Sequence, residues 1–121
     1  MMTPIKYCIY LMSIFVVLVG CSTATHNPTA KELLKEHPDI DIMQYQDIIY
    51  SKTEMIEFEA EKGNLLGEIK KRKTTGSMFK DFYASKLVKG TKIFAVGDDN
   101  TFMLIAEVDG ELIYYKALLE G

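Results

Sequence analysis

Apolar positions along the chain follow three different periods. Tyr7 to Val19 is a run of thirteen uncharged, mostly apolar residues with no period at all. Ser22 to Thr29 is small and polar. From Ala30 a helical spacing begins, with Ala30, Leu33, Leu34 and His37 on one stripe until Pro38 stops it. Thr29-Ala30-Lys31-Glu32 fits a capping box, in which the Thr29 hydroxyl and the Glu32 carboxylate each satisfy a free backbone donor. The pattern predicts a short amphipathic helix from about Ala30 to Glu36 whose apolar stripe needs a covering surface.

Beyond Pro38 the chain turns β-favouring. Ile40 and Ile42 alternate with aspartates, and Asp47-Ile48-Ile49-Tyr50 places the first strand near Ile48 to Ser51. Thr53 to Lys62 is acidic, with Met55, Ile56 and Phe58 inside it, and reads as a short helix or a loop that Gly63-Asn64 ends. Leu65 to Lys73 reads as a second strand and Thr74 to Ser77 as a loop. Strands then follow at Phe82 to Leu87, Lys92 to Val96, Thr101 to Val108 and Glu111 to Leu118. The turns between them are Lys89-Gly90, Gly97 to Asn100, and Asp109-Gly110, a pair suited to the two positive-φ positions of a tight hairpin. Period two sets Phe102, Leu104, Ala106 and Val108 on one face, with Leu112, Tyr114 and Leu118 as their expected partners in the core. The expected class is α+β: a short N-terminal helix with a mainly antiparallel β-meander, either strongly curved or closed into a small SH3-like or OB-like barrel.

Composition narrows the function classes. With 121 residues, 48% hydrophobic and 26% charged, the chain has the balance of one small globular domain. Lys6 is the only charge before Cys21, so the chain from Cys21 onward carries thirteen basic and seventeen acidic side chains, a net of −4. That balance argues against nucleic acid as a partner. Cys8 and Cys21 are the only cysteines, and Cys8 lies in the apolar run, so no disulfide framework is expected. With only His26 and His37 as histidines, neither a metal site nor a cofactor is expected.

The N-terminus has the layout of a secretory signal peptide: one positive charge up to Lys6, the apolar run, then the small residue Gly20. The run is shorter than the ~20 residues a spanning helix needs. Leu18-Val19-Gly20-Cys21 resembles the lipobox of bacterial lipoproteins at all four positions. The resemblance implies that diacylglycerol joins the Cys21 thiol, that the bond between Gly20 and Cys21 is cut, and that lipidated Cys21 becomes the first residue. The implied organisation is a signal peptide over residues 1–20, a lipidated cysteine and flexible tether over 21–29, and one β-rich domain over 30–121. Eight tether residues give a reach of about 15 Å. The implied location is the extracytoplasmic face of the cell membrane.

His37-Pro38-Asp39 resembles the loop of J-domain cochaperones, but β-rich sequence follows where a J-domain has a second helix, so it reads as a helix stop. Asp98-Asp99-Asn100 offers oxygen ligands without the spacing of a calcium loop and reads as turn chemistry. Lys70-Lys71-Arg72-Lys73 reads as a solvated strand end, since a strand's side chains point alternately to two faces, with a patch for anionic headgroups or wall polymers as the alternative and Glu54, Glu57, Glu59 and Glu61 facing it or facing water. Tyr45, Tyr50, Tyr83, Tyr114 and Tyr115 read as core and cross-strand packing, with a ligand groove as the alternative. No nucleophile, metalloprotease or phosphate-loop motif occurs, so no catalytic residue is assigned. Gly67 to Lys71, Ala84 to Leu87, Lys89 to Ile93 and Val108-Asp109-Gly110 are similar to a group of small uncharacterised lipoproteins of Gram-positive bacteria. The function expected is a non-enzymatic binding or interaction module, with the membrane and an envelope protein as partners. The alternatives are a carboxylate-based envelope enzyme and a self-associating structural component.

Overall fold

The computed structural model describes residues 26–54, 61–97 and 100–119. Cys8, Gly20 and Cys21, the acidic residues Glu57 and Glu59, and Asp98-Asp99 lie outside the described residues.

Helix α1 spans Ala30–Glu36. The Thr29 hydroxyl accepts the Glu32 N–H at 3.3 Å, and the His37 N–H closes the other end on the Leu33 carbonyl at 2.8 Å. Seven residues are too few for a helix to be stable alone in water. Packing holds it: Ala30 and Leu34 are buried against Ile42 and Ile49, with Leu33, Ile40, Phe79 and Leu118 around them.

Ile42 and Ile49 belong to a hairpin of β1 (Ile42–Tyr45) and β2 (Ile48–Thr53). The sequence reading contains only its second strand. The turn that makes the hairpin is Gln46-Asp47, with φ of 50° and 62°, the two positive values of a type I′ turn. Neither residue is glycine or asparagine, the usual choices. An outside contact supports the turn instead: Asp81 Oδ1 accepts the Asp47 N–H at 3.0 Å and the Gln44 amide at 3.1 Å. The hairpin is buried on both faces. Met43 and Tyr50 point to the interior, while Ile42 and Ile49 lie under the helix. This explains why Ile48-Ile49-Tyr50 shows no alternation.

The remaining strands are β3 (Lys62–Glu68), β4 (Lys71–Arg72), β5 (Tyr83–Ala84), β6 (Lys92–Val96), β7 (Asn100–Val108) and β8 (Glu111–Ala117). They form one sheet in the order β3-β6-β7-β8-β2-β1-β5-β4, antiparallel throughout except between β4 and β5. The two ends of that order, β3 and β4, are separated in the chain by only Ile69 and Lys70. The Ile69 N–H still bonds toward β6, to the Thr91 carbonyl at 2.8 Å. The next N–H, of Lys70, bonds the other way, to the Phe82 carbonyl at 2.8 Å. One bent segment therefore supplies both edges, and the sheet curls into a barrel-like α+β fold. The segment expected as a single strand from Leu65 to Lys73 is two strands with a change of partner between them.

Phe82 occupies the inside of the bend. Its φ of 63° is costly for a bulky residue, and its ring packs on Gly67 and lies 5.5 Å from the Tyr45 ring, edge on. The strand expected from Phe82 to Leu87 shrinks accordingly to Tyr83–Ala84, because the chain must turn before and after it. Gly63-Asn64, expected to end the acidic segment, lies inside β3. Gly97 turns with φ of 60°, but Asn100 already belongs to β7.

The Asp109-Gly110 turn has φ of 51° and 82°, as expected. It pairs Val108 with Glu111, and hence Leu104 with Tyr115 and Ala106 with Ile113. The interior face of β8 is therefore Ile113 and Tyr115, and the expected set of Leu112 and Tyr114 is off by one residue. Tyr114 instead packs on the opposite face with Val96, Met103 and Ile105, while Leu112 is 38% exposed. Phe102, expected in the core, is 60% exposed at the start of β7. Central β7 is buried on both faces, so period two alone understates its core.

A Cβ added to Gly67 would stand 2.8 Å from the Phe82 ring. Gly67→Ala is expected to lower stability by about 1–3 kcal/mol through overpacking. The double variant Gly67→Ala/Phe82→Leu should lose less than the sum of the two single losses in urea denaturation. Strict additivity would show that the ring does not rest on Gly67.

Candidate functional site

The buried polar groups come from three separated pieces of chain. Tyr115, fully buried on β8, donates its hydroxyl to Asp41 Oδ1 at 2.8 Å. Ser85, buried just after β5, donates its hydroxyl to the Ile40 carbonyl at 2.6 Å and accepts the Ile42 N–H at 2.9 Å. The Ser85 N–H meets the Ile42 carbonyl at 2.9 Å. These bonds pin the start of β1 to β5 and β8, and among the described residues no buried side-chain polar atom lacks a partner. Burial first, then the neighbouring Asp41 charge, pushes the Tyr115 phenol well above its ordinary value. Burial, then Tyr45, raises Tyr50 in the same direction. Both phenols are thus held neutral, and the arrangement serves structure.

The five tyrosines do not converge on one groove. Tyr50 and Tyr115 are interior, and Tyr45 packs between Tyr50 at 6.4 Å and Phe82 at 5.5 Å. Tyr83 meets Phe79 edge on at 5.9 Å. Tyr114 belongs to the opposite face of the sheet.

The histidines have local roles. His26 Nε2 lies 2.9 Å from Glu32 Oε1, and that contact, with help from the Thr29 backbone, holds the Glu32 carboxyl below its usual range. His37-Pro38-Asp39 is an exposed turn, closed by the Ile40 N–H on the His37 carbonyl at 3.0 Å, and it leads into β1. Among the described residues no three His, Cys, Asp or Glu side chains group as metal ligands.

Among the described residues, the two larger surface grooves could admit a small ligand, and both are open to solvent. One of about 530 Å³ runs between α1 and the end of β8, lined by Pro28, Glu32, Leu33, Glu36 and Lys116 to Leu119. The other, about 380 Å³, lies where Gln44 and Asp47 meet Lys70, Phe79, Lys80, Asp81 and Tyr83. A small-molecule pocket encloses most of its ligand, which neither groove does.

The basic run is the strongest surface feature. Lys70, Lys71 and Arg72 are exposed, the Lys73 ammonium donates to the Ser77 carbonyl, and the Lys70 ammonium sits 5.7 Å from the Phe82 ring centre. Glu54 and Glu61 are exposed and form no ion pair with it. Lys62 instead bonds Glu107 at 2.7 Å over the Phe94 ring, which holds the Glu107 carboxyl low. Lys80, Lys86 and Lys89 were not grouped with the run in the sequence reading. Their signal was there in the scarcity of carboxylates between Ile69 and Lys92, where only Asp81 occurs. Compared with known proteins, the chain matches no family model, no curated protein and no solved structure.

Tyr115→Phe keeps the packing but removes the bond to Asp41, and is expected to cost about 1.5–3 kcal/mol at neutral pH. A phenol whose folded value is raised contributes fully below its unfolded value of about 10 and loses that contribution as pH climbs above it. Wild-type stability should therefore fall progressively as pH rises above about 10, and Tyr115→Phe should fall less steeply. Urea midpoints measured from pH 8 upward check this; equal slopes would mean that Tyr115 ionises in the folded state.

Proposed function

We propose that the protein is a lipoprotein of the bacterial cell envelope, anchored by diacylglycerol on Cys21 to the outer face of the cytoplasmic membrane. Its domain acts there as a non-enzymatic binding or interaction module. The observation that carries the reading is Leu18-Val19-Gly20-Cys21 at the end of a charged start and a thirteen-residue apolar run. Two acyl chains anchor stably where one is marginal, since each buried methylene contributes about 0.8 kcal/mol. The abrupt change to Ser22-Thr23-Ala24-Thr25 is what a tether requires and what a continuing helix would not have.

The chemistry of the domain favours binding over catalysis. Its buried polar groups are engaged in holding β1, β5 and β8 together, and its raised titrations are those of neutral phenols. A partner in the envelope would meet an exposed barrel surface held close to the lipid.

Cys21→Ala is expected to leave an unacylated precursor that keeps residues 1–20. Mass spectrometry of the N-terminus checks this, and normal cleavage after Gly20 in that variant would refute the lipoprotein reading. In-cell cross-linking of the acylated protein tests the module. A partner that vanishes with Leu104→Asp, which puts a charge into the core, supports it. Recovery of the same species with the unfolded variant would sink it.

A further inference from the structure

Eight of the thirteen cations that follow Cys21 fall between residues 69 and 92, where Asp81 is the only carboxylate. The rest of the chain after Cys21 has the opposite character, with five cations and sixteen carboxylates. The fold places four of these cations along one edge of the sheet, while Lys92 lies opposite Glu68 and Glu107 and Lys70 and Lys80 border a groove with Asp47 and Asp81. The Ile69 carbonyl accepts the Gly90 N–H at 2.8 Å, and the Lys73 N–H bonds the Ala84 carbonyl at 2.8 Å. Lys71 is in register with Tyr83 and Arg72 with Ala84. The backbone of β4 thus runs alongside the stretch from Tyr83 to Gly90 at the edge of the sheet, with Lys71 and Arg72 on opposite sides of the edge strand and Lys86 and Lys89 on the loop next to it. All four are exposed, and among the described residues none of them is in an ion pair. Asp81 is bonded to Gln44 and Asp47 and shares its groove with Lys70 and Lys80, not with these four.

Two further observations say what this sector meets. Val88, between Lys86 and Lys89, is 56% exposed, an apolar side chain in the middle of the cations. The start of α1 lies next to the same sector: Gly76, three residues after Lys73, packs so closely on Ala30 and Lys31 that a Cβ there would collide with the Lys31 backbone. The start of α1 therefore lies beside the loop that follows β4, while Pro28 just before it also borders the end of β8. A net-negative protein would be repelled by an anionic surface unless held in one orientation, and an anchor at this point supplies that orientation.

We propose that β4 and the loop from Ser85 to Thr91 form a docking surface for anionic phospholipid headgroups, so that the domain lies with this sector against the membrane. The inference rests on the lipoprotein reading for the position of the anchor. Each cation near an anionic bilayer raises the docked population about fivefold, and Val88 adds an apolar contact at the headgroup level.

The chain contains no tryptophan, so Val88→Trp in the full-length protein creates a single fluorescent reporter. Lys116→Trp is the control, exposed on β8 near Pro28 and four places from β4 in the sheet order. The protein is mixed with vesicles of brominated phosphatidylcholine, with or without phosphatidylglycerol. Bromine quenching at Val88→Trp is expected to be at least about threefold stronger with phosphatidylglycerol. It should vanish in about 0.5 M salt and with Lys71→Glu/Arg72→Glu/Lys89→Glu, while Lys116→Trp stays unquenched. Circular dichroism establishes that each variant is folded. Equal quenching in both vesicles, silence at Val88→Trp, or equal quenching at Lys116→Trp would overturn the surface. A response to soluble polyphosphate and none to vesicles would overturn the lipid assignment in favour of an anionic polymer. Acylation of Cys21 is read by mass on the same sample. Quenching of an unacylated chain would keep the surface and refute the anchor, whereas silence of an acylated one would refute the surface alone.

Discussion

The change of hydrogen-bonding partner between Ile69 and Lys70 is the constraint on which the fold depends. Ile69, 1% exposed, directs its backbone to Gly90 and Thr91, and the next N–H turns to Phe82. An open sheet of this order would leave two edges with unpaired backbone groups, a template for aggregation. Here both edges belong to one bent segment, with Ile69 bonded to one end of the sheet and Lys70 to the other, so the sheet curls. Phe82 and Gly67 follow from that bend. The ring needs the place where a Cβ would stand, and the left-handed backbone of Phe82 is the strain accepted to put it there.

A barrel of this size has little interior, and the molecule compensates by burying strands on both faces. β1 and β2 face the interior through Met43 and Tyr50 and the helix through Ile42 and Ile49. β7 does the same through Leu104 and Ala106 on one side and Met103 and Ile105 on the other. The second layer on β1 and β2 gives the short helix α1 its stability, and its contact with Gly76 sets where the N-terminal tether leaves the domain. Fold and surface charge meet near that contact, because the segment that changes partner continues into the basic run and the loop packed on the start of α1.

Local signals survived the passage from sequence to structure well. The Thr29 cap, the Pro38 stop, Lys92 to Val96 and the Asp109-Gly110 turn are each governed by a few neighbouring residues. The face of β8 was misread by one residue, although the two-residue turn that pairs Val108 with Glu111 puts Tyr115, not Tyr114, opposite Leu104. The hairpin at Gln46-Asp47 was not legible, since its support comes from Asp81, which is distant in sequence. Nor was the bond of Tyr115 to Asp41, which spans 74 positions. Of the surface, the run Lys70 to Lys73 was visible as a charge cluster, but its neighbours Lys86 and Lys89 join it only through the pairing of β4 with β5.

By itself the sequence determined the features that require only consecutive residues: the N-terminal apolar run, the capped helix, the hairpin turn and the α+β class. Capping, turn dihedrals and processing motifs are short-range, so the relevant atoms are already neighbours in the unfolded chain. Tertiary structure alone decided where the sheet changes partner, which strands are buried twice and which charges share a side. Those outcomes depend on hydrogen bonds and packing between residues that meet only when the chain folds, and no local pattern specifies which of the available partners each strand will take.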